Sequence, residues 1–203
     1  MSPTSVLELA KTGAAEDLKS EMRAQADSSL YYFAKVILGY DRLVDYLHLP
    51  FCEHLQSTQD TRKRGYLYPR GHFKSTIFKA YILWRVTKNL NLRVLGVGEA
   101  DKIACKNLRD IKWHILNNEI FRWLYPEVIP EDINKTKWTD NEILLPRKRS
   151  FDESTITMVG VGAKHTGFHY DLVGYDDPIG FVAAQSSPEM ESCIEWFKMA
   201  PGL

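Results

Sequence analysis

Tyr68-Pro69-Arg70-Gly71-His72-Phe73-Lys74-Ser75-Thr76 is the stretch on which the reading of this 203-residue chain turns. It follows a short apolar run, Tyr66-Leu67-Tyr68, which is read as a strand. It precedes a segment, 75–87, in which Ile77, Phe78, Tyr81, Ile82 and Trp84 recur at helical spacing. A strand, a glycine-bearing turn and a helix in that order form a phosphate loop, because the N–H groups of a first helical turn lack intrahelical acceptors and face an anion. Lys74 then reaches the β- and γ-phosphates, and the Ser75 hydroxyl ligates magnesium. The standard GxxxxGK[ST] pattern has glycine where this chain carries Tyr68 and Phe73, so Gly71 alone relaxes the loop. The bland alternative is a strand–turn–helix with a solvated lysine.

Outward from the loop, strand-like runs alternate with amphipathic helices. Strands are expected at 93–97 and 172–175, with a pair at 143–145 and 154–159 around 147–153. Helices are expected at 100–117 and 188–199. This alternation argues an α/β fold with a mainly parallel central sheet covered on both faces. Ahead of it lie three helix candidates, 5–24, 30–38 closing at Gly39, and 50–56, then a polar loop over 57–64. The expected organisation is an N-terminal helical segment, 1–60, packed on a core spanning 61–203.

Magnesium needs a carboxylate, and the attacking water needs a second. Asp171-Leu172-Val173-Gly174-Tyr175-Asp176-Asp177-Pro178 supplies both: a short strand ends in adjacent acids and is stopped by proline. Nucleotide sites of open α/β sheets lie at that carboxyl edge. Asp176 is expected near magnesium and Asp177 at the hydrolytic water, although two acids in a turn are ordinarily just solvated. With the upstream loop in the right chain order, the reading is a P-loop NTPase of the ASCE type that binds ATP and Mg2+.

Residues 69–76 resemble the deviant Walker A loop of phage terminase large subunits. There an arginine and a glycine come early, and the residue before the lysine need not be glycine. Gly160-Val161-Gly162-Ala163-Lys164-His165-Thr166-Gly167-Phe168-His169-Tyr170, running into the acidic strand, is similar to that family's approach to Walker B. Tyr46-Leu47-His48-Leu49-Pro50-Phe51-Cys52-Glu53-His54-Leu55-Gln56 is similar to its adenine-packing segment. The resemblance covers roughly residues 30–200. It implies an ATPase that drives double-stranded DNA into a procapsid, working as a ring on the portal protein with a small terminase subunit, in the host cell cytoplasm. It also implies that Pro69, Arg70, Gly71, His72, Phe73, Lys74, Ser75 and Thr76 cradle ATP, with Arg70 against the phosphates, where its planar fork suits them. The second acid is often glutamate in the family, so Asp177 leaves the division of roles with Asp176 open. The chain stops at Leu203, and the family's coupling motif and nuclease domain are expected further on. No arginine finger identifies itself among Arg109, Arg122, Arg147 and Arg149.

Lysine plus arginine balance aspartate plus glutamate at 26 each, so the chain is not a polycation. Two basic triplets, Arg62-Lys63-Arg64 and Arg147-Lys148-Arg149, read either as DNA-phosphate contacts or as solvated faces. Cys52, Cys105 and Cys193 fit neither a disulfide framework nor a zinc site, and are expected to be buried reduced thiols of an intracellular protein. The spacing of His165 and His169 suits a metal clip on a helix, but the flanking glycines oppose a helix there. Trp113, Phe121, Trp123 and Tyr125 read as core. No signal peptide is read at Met1, and no apolar run approaches the roughly 20 residues of a membrane span.

Overall fold

Apolar positions three and four residues apart in the N-terminal part turn inward in the computed structural model, which describes residues 15–61, 63–163 and 168–199. The chain forms two compact units, one of residues 1–88 and 112–129, the other of residues 89–111 and 130–203.

The first unit is helical. Helix α1, Ala15–Ser28, carries Glu16 and Asp17 in its first turn, where acids complement the helix dipole. Its Met22 and Ala26 are buried. Ser29 caps α2, Leu30–Tyr32, by accepting the Tyr32 N–H. The expected helix over 30–38 then widens into a π-helical turn, Phe33–Ile37, and the chain leaves it through Gly39 at φ 75°. Helix α3, Asp45–Ser57, begins earlier than its proline suggests. Pro50 is tolerated inside it because the carbonyl deprived of a donor, that of Tyr46, belongs to a residue on the exposed face, open to solvent. Helix α4, Lys74–Lys88, buries Ile77, Ala80, Tyr81, Leu83 and Trp84. The Trp84 indole Nε1–H donates to the Ala26 carbonyl at 2.8 Å, joining α4 to α1.

Residues 66–68 do not form the expected strand. They alternate as a strand would, with Leu67 fully exposed between two half-buried tyrosines. The tyrosines, however, turn to a helix rather than a sheet. Phe51 of α3 stacks on Tyr68 at 4.5 Å between ring centroids and meets Tyr66 edge-on at 5.3 Å.

The second unit holds a four-stranded sheet in the order β2-β3-β1-β4. Its strands are β1 (Val94–Gly98), β2 (Glu142–Ile143), β3 (Ile156–Gly160) and β4 (Leu172–Asp176). Strand β1 runs parallel to both β3 and β4, while β2 runs antiparallel to β3. The sheet is therefore mixed, and helices flank it. Helix α5, Asp101–Asn117, follows β1. The short α6, Glu119–Leu124, belongs to the first unit, and α7, Phe181–Gln185, and α8, Ser187–Met199, close the second. Strands β1 and β3 are buried throughout, which accounts for their unbroken apolar character. The edge strand β4 is only half-buried before Asp176.

At the amino ends of the three parallel strands, β1, β3 and β4, Arg93 joins their starts. Its guanidinium pairs bidentately with Asp171, at 2.8 and 3.0 Å, and reaches Glu153 at 3.4 Å. Arg93 holds the Asp171 carboxyl below the usual aspartate range. Burial pushes Glu153 up, but backbone N–H donors and Arg93 outweigh it and hold that carboxyl low as well. A depressed carboxyl contributes stability above its unfolded value and loses it as pH falls through its folded value. In urea unfolding, Asp171→Asn should therefore be less stable than the parent at pH 7. The gap should close below about pH 3.9, the ordinary aspartate value. A gap of constant size from pH 7 to pH 2.5 would refute that role.

Candidate functional site

The residues expected to form a phosphate loop lie in the first unit and the acidic pair in the second. In the loop, Pro69, Arg70 and Gly71 are exposed, and 72–76 are half-buried. Gly71 sits at φ 80°, and Phe73 at φ 53°. A Cβ on Gly71 would meet nothing within 4 Å, so glycine is needed there for its backbone angle rather than for space. The Phe73 carbonyl accepts the Ile77 N–H at 2.9 Å, which makes Phe73 the entry residue of α4. The N–H groups of Lys74, Ser75 and Thr76 are thus those of a first helical turn, directed outward from the helix ladder. His72 Nδ1 lies 3.0 Å from the Arg70 carbonyl and donates to it, tying the turn to itself. A left-handed residue stands where the standard pattern has glycine, and it is a phenylalanine.

The acid pair is delivered by register. Gly98, Gly160 and Asp176 end their strands side by side. Asp176 is 6% exposed, and its Oδ2 accepts the Asn107 Nδ2–H at 3.2 Å. Asp177 is exposed and left-handed at φ 46°. Proline at the next position disfavours the right-handed helical region, and aspartate is among the few residues that tolerate the left-handed one. The two carboxylates therefore differ: one is oriented and enclosed, the other stands in a tight turn. The Asp176 carboxylate is a hard oxygen donor of the kind magnesium takes, and so, within the first unit, is the Ser75 hydroxyl; each suits that ion by its own chemistry.

Sequence reasoning passed over the groups that set this edge. Asp101 Oδ1, at the start of α5, accepts the Gly160 N–H at 2.6 Å. Asn107 occupies the buried stripe of α5 with Ala104, Leu108 and Ile111. A lone amide in an apolar helical stripe is a legible signal, since a buried polar side chain needs a partner.

The basic, aromatic and cysteine side chains singled out in the sequence have the following surroundings. Arg64 spends its guanidinium on the Leu55 carbonyl at 3.1 Å and on the hydroxyls of Thr58 and Tyr81. Arg147 donates to the carbonyls of Glu153 and Phe151, both at 2.8 Å, and Arg122 to those of Ile115 and Leu116. Lys63, Arg109, Lys148 and Arg149 are exposed; Arg62 and His165 lie outside the described residues. Among the described residues no group of three or more His, Cys, Asp or Glu could hold a metal ion. The aromatic stripe splits: Phe121 and Tyr125 are core, whereas Trp113 is 54% exposed. Its position on α5 falls off the buried stripe of Ala104, Leu108, Ile111 and Ile115. The three cysteines are free thiols. Cys52 is buried, which pushes its thiol up to about 12, but Cys105 and Cys193 are only half-buried, contrary to expectation. No helix among the described residues is long and apolar enough to cross a membrane.

No protein-family model matches this chain, and no curated protein matches it.

Proposed function

We propose that this protein is a magnesium-dependent P-loop ATPase, and more finely the motor domain of a phage terminase large subunit. One observation carries the reading. The loop over 69–73 opens a fifteen-residue helix at Lys74-Ser75-Thr76, with left-handed backbone at Gly71 and at the residue before the lysine. Outward-facing N–H groups at a helix start, a lysine and a hydroxyl form a phosphate cradle.

In this reading Lys74 holds the β- and γ-phosphates, and Arg70 reaches them from the exposed part of the loop. Ser75 and Asp176 hold magnesium, whose charge offsets that developing on the phosphate oxygens. Asp177 orients the attacking water. Asn107 acts one step behind, fixing the Asp176 carboxylate. Double-stranded DNA, the portal protein, the small terminase subunit and a ring on the procapsid follow from the terminase resemblance.

Steady-state ATP hydrolysis, measured with and without Mg2+ and double-stranded DNA, tests this. The expected result is magnesium-dependent turnover that rises when DNA is added. Separation of the DNA strands would point to a helicase instead. Binding of ATP without turnover would point to a nucleotide-binding module, and no binding at millimolar ATP would reject the phosphate loop.

A further inference from the structure

The left-handed Phe73 has to be held. In that region the Cβ crowds the neighbouring carbonyl, which is why glycine dominates it, and a bulky residue persists there only when its surroundings over-determine it. The surroundings of Phe73 are specific. Its ring meets the His48 imidazole at 5.6 Å between centroids with the planes 72° apart, and the Arg42 guanidinium lies 5.2 Å from its centroid.

His48 is itself fixed. It is 2% exposed, and its Nδ1 lies 2.8 Å from the Val44 nitrogen and 3.1 Å from the Val44 carbonyl oxygen, which seats the ring against the residue that precedes α3. The other ring nitrogen, Nε2, is buried with no hydrogen-bond partner among the described residues.

We propose that His48 and Arg42 are positioning residues of the phosphate loop. Through the Phe73 ring they hold the backbone left-handed where other loops rely on glycine, and so set the N–H groups that receive phosphate. The start of α3 thereby shapes the start of α4 through one aromatic contact. The inference rests on the nucleotide reading above for its ligand, a nucleoside diphosphate or triphosphate. It does not rest on that reading for the clamp itself.

A double-mutant cycle tests it, with the parent, His48→Ala, Phe73→Gly and the double variant compared. MgADP binding is measured by calorimetry and stability by urea unfolding. His48→Ala should weaken MgADP binding about tenfold in the parent but less than about twofold in the Phe73→Gly background, where the contact is gone. Arg42→Ala should weaken it about threefold in the parent, the size of an exposed cation–π contact. Phe73→Gly serves as the reference background, in which glycine adopts the same angle unaided and the His48 effect is read against that variant's own MgADP affinity.

Equal losses in both backgrounds would overturn the clamp. So would Phe73→Gly abolishing binding while its urea midpoint stays unchanged. If the parent binds no MgADP, the nucleotide reading fails, and the clamp is then decided by the urea midpoints. Non-additive effects at 48 and 73 uphold it, and additive ones dismiss it.

Discussion

Lys74→Ala should lower ATP turnover by about 10²–10³-fold, the usual cost of removing one pre-positioned charge stabiliser from a transferring phosphoryl group. The protein should stay folded, with a stability change of no more than about 1 kcal/mol. Lys74 is the first residue of α4, and the core of that helix is built by Ile77, Ala80, Tyr81 and Trp84. Alanine is also a good helix former, so no propensity is lost. Steady-state kinetics read beside a circular-dichroism melt separate the two effects. Unaltered turnover in a folded variant would remove Lys74, and with it the phosphate loop, from the chemistry.

Gly160→Ala should be the most damaging small substitution at the sheet's carboxyl edge. A Cβ there would meet the Asp101 backbone nitrogen at 2.5 Å and the Ala100 carbonyl carbon at 2.7 Å. Both are backbone atoms at the start of α5, which cannot swing aside. The same displacement would strain the Gly160 N–H bond to Asp101. The expected cost is about 3 kcal/mol, the upper part of the overpacking range. Gly96→Ala is the control: its Cβ would collide with the Met158 side chain, a flexible thioether that can change rotamer. That variant should lose no more than about 1 kcal/mol. Urea midpoints of the two variants should therefore differ clearly, and equal midpoints would show that α5 is not pinned to β3 in this way. Because Asn107 lies on the same helix, Gly160→Ala should also impair any activity that depends on an oriented Asp176.

Much of the second unit was legible from periodicity. The apolar runs around 94–98, 156–160 and 172–176 became strands, and the amphipathic spacing after Ala100 became α5. The strand expected at 66–68 failed for a reason that alternation cannot register. Period-two spacing reports that alternate side chains are buried, and Phe51 on a helix buries Tyr66 and Tyr68 as well as a neighbouring strand would. The early start of α3 was hidden similarly. Pro50 reads as a first helical position, but its missing donor falls on an exposed face, and the helix starts further upstream after Val44, where the His48 ring packs on that residue's backbone.

For the candidate site, the residue types and their chain order were legible in the sequence: a lysine and a hydroxyl after a glycine-bearing turn, then two acids ending a strand. Those follow from local chemistry, since a glycine-bearing turn into a helix and a strand terminus are each written in a few consecutive residues. Only the tertiary structure decided that Phe73 takes a glycine's backbone angle, that His48 and Arg42 pack against its ring, and that Asn107 orients Asp176. Each of these joins residues distant in the chain, whose contact depends on how helices and strands pack rather than on any local preference.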